Sequence, residues 1–271
     1  MLTVRHPVFD LAGSGPHWGD NLEAVAIINA GAIIPSAIER YLIRVMRQAK
    51  ALLDPVADAD LIDTIGDFNK QEGQHLKLHA ALLDMLCDTA YPGLRQFETA
   101  FAADLDDFLA TKPLDWNLAY CEGFEATGCA MAASWVDGTM RDLCGDHGSE
   151  VMRMWMWHLA EEFEHRGVVH DVIERLHPDR AHELRTSGAL FNRDHIAVHT
   201  LGAVAYIQEV DQASMDDDEV AASEVRMMRA AADVAAASTD QMTWVFEPGY
   251  DPSTVAPPRD YEAVLAYADP G

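Results

Sequence analysis

Apolar positions recur at helical spacing over most of this 271-residue chain, with polar residues between them. A first helical region starts near the cap Asp20, runs through an apolar stretch to 34 and restarts at Pro35, which suits the first turn of a helix. Over 35–53, Ile38, Leu42, Val45, Met46 and Leu52 mark one face, and Glu39 lies among them. Asp54-Pro55 interrupts the pattern. Asp58 or Asp60 can cap the next helix, over 60–88, where Leu61, Ile65, Phe68, Leu82 and Leu86 build the core side. An amphipathic helix over 94–110 carries acids but no His and is expected to pack outside. Two long segments follow, 114–145, rich in Gly and Ala, and 149–176, closed by His177-Pro178. Helices over 188–213 and 217–240 are separated by the acidic cap Asp216-Asp217-Asp218. Residues 1–19 lack periodicity and read as an irregular arm packing through Phe9 and Trp18. Residues 241–271, punctuated by prolines, read as a wrapping tail. With no strand pattern and no repeat, the chain predicts one all-α domain over 1–271. Its site-bearing helices span 20–176, and 188–240 adds further helices.

The polar residues that interrupt the apolar faces are of few kinds. Glu72 and His75, three apart, share one side of their helix, and His158, Glu162 and His165 fall within about 60° of one another around theirs. Glu39 offers a carboxylate from another helix, and Glu122 or Glu125, again three apart, from a fourth. A pair of first-row metal ions wants bridging carboxylates and a few imidazoles, and a helical bundle can supply them in this way. Carboxylates buried without cations would be costly. The predicted ligands are Glu39, Glu72, His75, Glu122, His158, Glu162 and His165. His79 is open as a ligand, a hydrogen-bond partner or a pocket residue. Glu125 is open in place of Glu122, and Glu161 in place of Glu162. Glu164 is expected at the surface. A third Glu-x-x-His step, Glu174 to His177, has no partner helix and reads as a chance match. There is no G-x-S-x-G elbow, phosphate loop, dinucleotide glycine fingerprint or H-E-x-x-H zinc motif.

Charge narrows the partners. A net charge of −26 repels phosphate backbones and anionic membranes, which argues against nucleic acid and lipid surfaces. The four cysteines show no C-x-x-C pairing and read as small core residues of a reduced protein. No signal-peptide pattern follows Met1, and no stretch reaches the ~18 apolar residues a membrane span needs. A soluble, cytoplasmic protein is expected, with a homodimer as one open assembly.

Several motifs carry a family resemblance. Pro35 with Glu39-Arg40, Gln71-Glu72-Gly73-Gln74-His75 with His79, Glu122-x-Phe124, and Trp155-x-Trp157-His158-x-x-Glu161-Glu162-x-Glu164-His165 resemble the bacterial family labelled predicted metal-dependent hydrolases. Pro248-Gly249-Tyr250-Asp251-Pro252 is similar to that family's closing segment, so the likeness covers most of the chain. The chain departs from the family at Gly123, Glu125 and His170. The ligand order also resembles the di-iron N-oxygenases of aromatic amines, in which a seventh ligand corresponds to His158 here. That second likeness implies a ferritin-like di-iron carboxylate bundle. It leads to the expectation of two metal ions, iron before manganese or zinc, in an enzyme that activates O₂ to oxidise a small organic substrate. An external electron donor would serve it, and Met131, Met152, Met154, Met156 and Trp157 are available to line its cavity. The alternative is a hydrolase in which a metal-bound hydroxide attacks an ester, amide or phosphate bond. A third reading is a non-enzymatic iron-binding bundle.

Overall fold

Prolines, glycines and polar caps cut the chain into helices near the places the pattern marks. A computed structural model describes residues 2–242 and 244–268. Its helices are α1 (Leu11–Ser14), α2 (Leu22–Gly31), α3 (Pro35–Lys50), α4 (Ala59–Thr89), α5 (Leu94–Thr111), α6 (Leu114–Val136), α7 (Thr139–Cys144), α8 (Glu150–His165), α9 (Val168–Leu176), α10 (Ala181–Gln212), α11 (Asp217–Met242) and α12 (Tyr261–Leu265). Among the described residues there is no strand, and the protein is an all-α bundle. Asn21, not Asp20, caps α2 by accepting from the Ala24 N–H. Asp58 precedes α4 but spends its carboxylate on the Asp54 N–H and on Arg175. The 114–145 segment is two helices, because Gly138 takes the left-handed conformation (φ 88°) between α6 and α7. The 149–176 segment is also two, parted by a turn at Arg166 and Gly167 just after His165. The N-terminal arm is not wholly irregular, since α1 lies within it under an Asp10 cap.

Four helices close a ring: α3 packs on α4, α4 on α8, α8 on α6 and α6 on α3. On the outside, α10 lies along α6, and α2 and α11 cover the adjoining side. The α6–α10 approach needs glycine. A Cβ on Gly188 would stand 2.0 Å from the Ala119 carbonyl oxygen, and one on Gly123 would stand 2.8 Å from the Ala189 Cα. A continuous cluster of buried apolar residues runs from Leu11 to Leu265, with Phe68, Trp135 and Trp157 among its largest members. The span Leu22–Lys50 is long and apolar enough by composition to cross a membrane, contrary to the expectation from run length. Yet 83% of that apolar window is buried inside the protein, as suits helices of a core.

The tail packs back on this body. Val245 joins Ala126 and Ala189, the Arg166 Nε donates to the Pro252 carbonyl at 2.8 Å, and α12 lies on α8. The remainder of the predicted tail, at 243 and 269–271, falls outside the described residues. All four cysteines are free thiols, three of them buried.

Candidate metal centre

Each helix of the ring turns a carboxylate or imidazole inward. On α3, Glu39 sits on the same face as Ile38 and Leu42, and all three are fully buried. On α4, Glu72 and His75 interrupt the stripe that Phe68 and Leu82 continue on either side. On α8, whose first turn is fixed by Ser149 accepting from the Met152 N–H, His158, Glu162 and His165 face the same space. None of these six is more than 3% exposed, so the charge they carry is met by protein or by a bound cation and not by water.

Two overlapping groups result. Ligand atoms of Glu39, His75, His158 and Glu162 lie within 4.8 Å of one another, as do those of Glu72, His75, Glu162 and His165. Glu162 and His75 belong to both. The His158 Nε2 is 2.9 Å from a Glu162 oxygen and 3.5 Å from Glu39, and the His165 Nε2 is 3.2 Å from Glu72. The His75 Nδ1 stands 3.5 Å from Glu162 and 3.9 Å from Glu72.

The opposite edge of each imidazole is held by a partner outside these groups. The His75 Nε2–H donates to Glu161 at 3.1 Å, and Arg5 from the N-terminal arm donates to the other Glu161 oxygen at 2.8 Å. The His165 Nδ1–H donates to Glu125 at 2.8 Å. The His158 Nδ1 shares a hydrogen with the His79 Nε2 at 2.8 Å. Such partners fix the tautomer and aim the remaining nitrogen. Trp157 and Phe68 stand edge-on to His75 and His165, and Trp155 packs on both His79 and His158, which walls the centre with aromatic rings.

Several predicted positions therefore take new roles. Glu122 does not join either group; a turn back along α6, it meets the His170 Nδ1 of α9 at 3.4 Å, and Glu125 is the α6 carboxylate at the centre. Glu161 and His79 stand behind imidazoles. Glu164 is not free at the surface, because Arg5 and the Gln71 Nε2 both donate to it. Glu174 lies by Arg185 and joins neither ligand group. Of the residues named for a cavity, Met131 lines one, while Met152, Met154, Met156 and Trp157 are core. Arg5 and Gln71, which tie the arm to α4 and α8, were not singled out as site residues, and nothing in their spacing marks them.

The electrostatics call for cations. Burial pushes the carboxyl groups of Glu39 and Glu125 well above the ordinary carboxylate range, and Glu72 upward too, although His75 and His165 oppose it. Burial acts the same way on Glu162, but three surrounding imidazoles outweigh it and hold that group well below the usual value. Burial would keep His165 neutral, yet Glu125, Glu162 and Glu72 raise it to about 10. Burial and the neighbouring His75 press His158 down to about 4, against the pull of Glu162. Protons are thus the only positive charge these side chains can offer one another. Both oxygens of Glu39 and of Glu72, one each of Glu125 and Glu162, the His75 Nδ1 and the His165 Nε2 are buried without a hydrogen-bond partner. Hard carboxylate oxygens with imidazole nitrogens, all aimed inward and unsatisfied, fit divalent metal ions.

An apolar cavity of about 230 Å³ adjoins the centre, with His158 and Glu162 in its wall. A larger open cleft of about 480 Å³, between the arm and the loop before α8, shares no residue with the ligand groups. The model of a family described as "Predicted metal-dependent hydrolase" matches residues 3–256. No curated protein and no solved structure matches the chain.

Proposed function

Because the chain belongs to the family of predicted metal-dependent hydrolases, we propose that it hydrolyses a small organic substrate at a dimetal centre held by Glu39, Glu72, His75, His158, Glu162 and His165. The expectation of an O₂-activating oxidase is overturned by that membership, which supports the hydrolytic alternative. The Glu and His pattern alone does not separate the two, since the same donors serve Lewis-acid and redox chemistry.

The observation that supports this reading most directly is the set of buried, unpartnered carboxylate and imidazole atoms in two groups that share Glu162 and His75. A carboxylate has two oxygens and can serve both groups, whereas the His75 Nδ1 can serve only one. Glu162 is therefore the residue that would help to hold ions in both groups. Zn²⁺ or Mn²⁺ suits such a donor set. Bound there, the ions supply Lewis acidity, polarising the bond to be cleaved and making water acidic enough to attack near neutral pH. The protein's part is geometric. Glu161 and Glu125 hold ring protons on His75 and His165, so the opposite nitrogens keep lone pairs toward the centre. Glu125 has a second oxygen, buried and unspent, and it is the base this chain offers for the proton that water gives up. Aromatic rings keep bulk water away from these charges. In the overall reaction the water oxygen joins the electrophilic atom, the scissile bond breaks, and the leaving group takes up the proton that water gave to Glu125.

The test is to strip the protein with a chelator, reload it with Zn²⁺ or Mn²⁺ under argon, and assay para-nitrophenyl acetate and para-nitrophenyl phosphate. Turnover should return with the metal and match that in air. A Glu72→Ala/His165→Ala variant should lose metal and activity together. Full metal content in that variant would overturn the ligand assignment, and no turnover by the reloaded wild type would overturn the hydrolytic reading.

A further inference from the structure

The 230 Å³ cavity beside the centre has walls from six helices and the α2–α3 turn: α2, α6, α7, α8, α10 and α11 all contribute beyond Ile34 and Pro35. Ile28, Phe124, Met131, Leu159 and Ile196 give it an apolar surface. Resting on the hydrolase reading above, we propose that this cavity is the substrate pocket and that the substrate is a neutral carboxylic ester or amide with an apolar acyl or aryl group.

The wall residues decide between the bond types a dimetal hydrolase can cleave. Among the described residues no Lys, Arg or Asp lines the cavity, and Glu162 and His158, both in the ligand groups, are the only ionisable residues there. A phosphate or carboxylate group held among these walls would be stripped of water with no side-chain cation to meet it. Neutral substrates escape that penalty. The wall does carry hydrogen-bond donors. The Nε1 atoms of Trp135 and Trp155 and the Oγ1 of Thr200 are buried without partners, whereas the other wall threonine, Thr127, already donates to the Gly123 carbonyl at 2.9 Å. An indole N–H can only donate, so it calls for an acceptor oxygen, which an uncharged carbonyl supplies. An apolar body with a neutral acceptor is the description of an ester or amide.

The size is sufficient. A cavity of ~150 Å³ with apolar walls takes up benzene, and this one is larger. Glycine shapes it at two points. At Gly128 a Cβ would come within 2.7 Å of Glu162, so glycine lets α6 pass close to that carboxylate. At Gly31 a Cβ would meet nothing within 4 Å, so a side chain placed there has room to enter the cavity. The helices α10 and α11, which contribute nothing to the two buried ligand groups of the centre, supply Ile196, Thr200 and Val234 to the wall. Hydrolysis in this pocket would add the water oxygen to the acyl carbon, break the C–O or C–N bond, and leave the alcohol or amine with a proton.

The experiment follows para-nitrophenyl acetate, butyrate, hexanoate and phosphate with the Zn²⁺- or Mn²⁺-loaded protein, and separately the fluorescence of the neutral dye N-phenylnaphthylamine with the metal-stripped protein. Expected is a rise in kcat/KM of about fourfold per added methylene until the cavity is full, with no phosphate turnover. Gly31→Phe should lower the hexanoate-to-acetate ratio by about tenfold or more and exclude the dye, with metal content kept. Met131→Ala, which enlarges the cavity, should move the preference to longer chains, and it serves if Gly31→Phe fails to fold. A flat chain-length profile that neither variant alters, preferred turnover of the phosphate, or dye binding unchanged in Gly31→Phe would overturn the pocket. Dye bound by wild type and excluded by Gly31→Phe, with no ester hydrolysed, would instead overturn the hydrolytic reading and leave an apolar ligand pocket in place.

Discussion

Arg5, Glu161 and His75 form a chain of contacts in which each member explains the next. Glu161 is fully buried, and a carboxylate there needs a cation, which Arg5 supplies from the N-terminal arm. The guanidinium is shared with Glu164, which also accepts from Gln71, so one residue of the arm orders two carboxylates of α8. With Glu161 fixed, the His75 ring can turn only one nitrogen to the centre. Glu161→Gln removes the charge behind His75 while keeping its shape. Metal affinity, read by competition with a coloured chelator, should fall by about 10–100-fold while the helical circular dichroism stays the same. An unchanged affinity would place Glu161 outside the machinery that aims His75. His170, a departure from the family pattern in the sequence, finds its explanation at the same scale. It faces Glu122, which is buried and otherwise has no hydrogen-bond partner. Glu122 therefore belongs to a separate polar contact, and Glu125, three residues on, belongs to the centre.

At the scale of elements, what positions the site is how closely α6 can approach its neighbours. Against α10 the contact runs backbone to backbone through Gly188 and Gly123, and against α8 it passes Glu162 through Gly128. Gly188→Ala forces a methyl group onto the Ala119 carbonyl and should cost about 1–3 kcal/mol, read as an earlier midpoint in denaturant. Gly66, inside α4, is the contrasting case. A Cβ there meets only the Lys50 Nζ at 3.6 Å, an ordinary contact with the end of a flexible side chain. Gly66→Ala should stabilise by about 0.5–1 kcal/mol through helix propensity alone. If both variants shifted the midpoint in the same direction, close packing would not be what distinguishes these glycines. The sequence predicted α4 to within one residue at each end, because a run of 31 helical residues repeats its apolar face many times, but it began α10 at 188 where the helix starts at Ala181. The breaks within 114–145 and 149–176 were not foreseen. A single left-handed glycine or a two-residue turn leaves the surrounding apolar spacing almost undisturbed.

For the molecule as a whole, the centre sits inside the ring of α3, α4, α6 and α8, so binding ions there and holding those helices together are linked. Metal bound at a free concentration about 100-fold above its Kd adds about 2.7 kcal/mol to folding. For a chain of this length each kcal/mol moves Tm by about 2–4 °C, so chelation should lower Tm by about 5–10 °C and reloading should restore it. A Tm indifferent to chelator would mean that the buried carboxylates are satisfied by protons alone. The sequence by itself determined the all-α fold, the four helices that carry the site and most of its inward residues. These depend on spacing along one helix, which is a local property. It could not choose between Glu122 and Glu125, or between Glu161 and Glu162. Each pair is separated by a rotation that lets either member face inward, and only the neighbouring helices decide which one does. Arg5, brought to Glu161 from 156 residues away, and the apolar cavity beside His158 arise between elements and have no periodicity to announce them. Packing alone decided those, because a contact or a void between helices exists only once the helices have met.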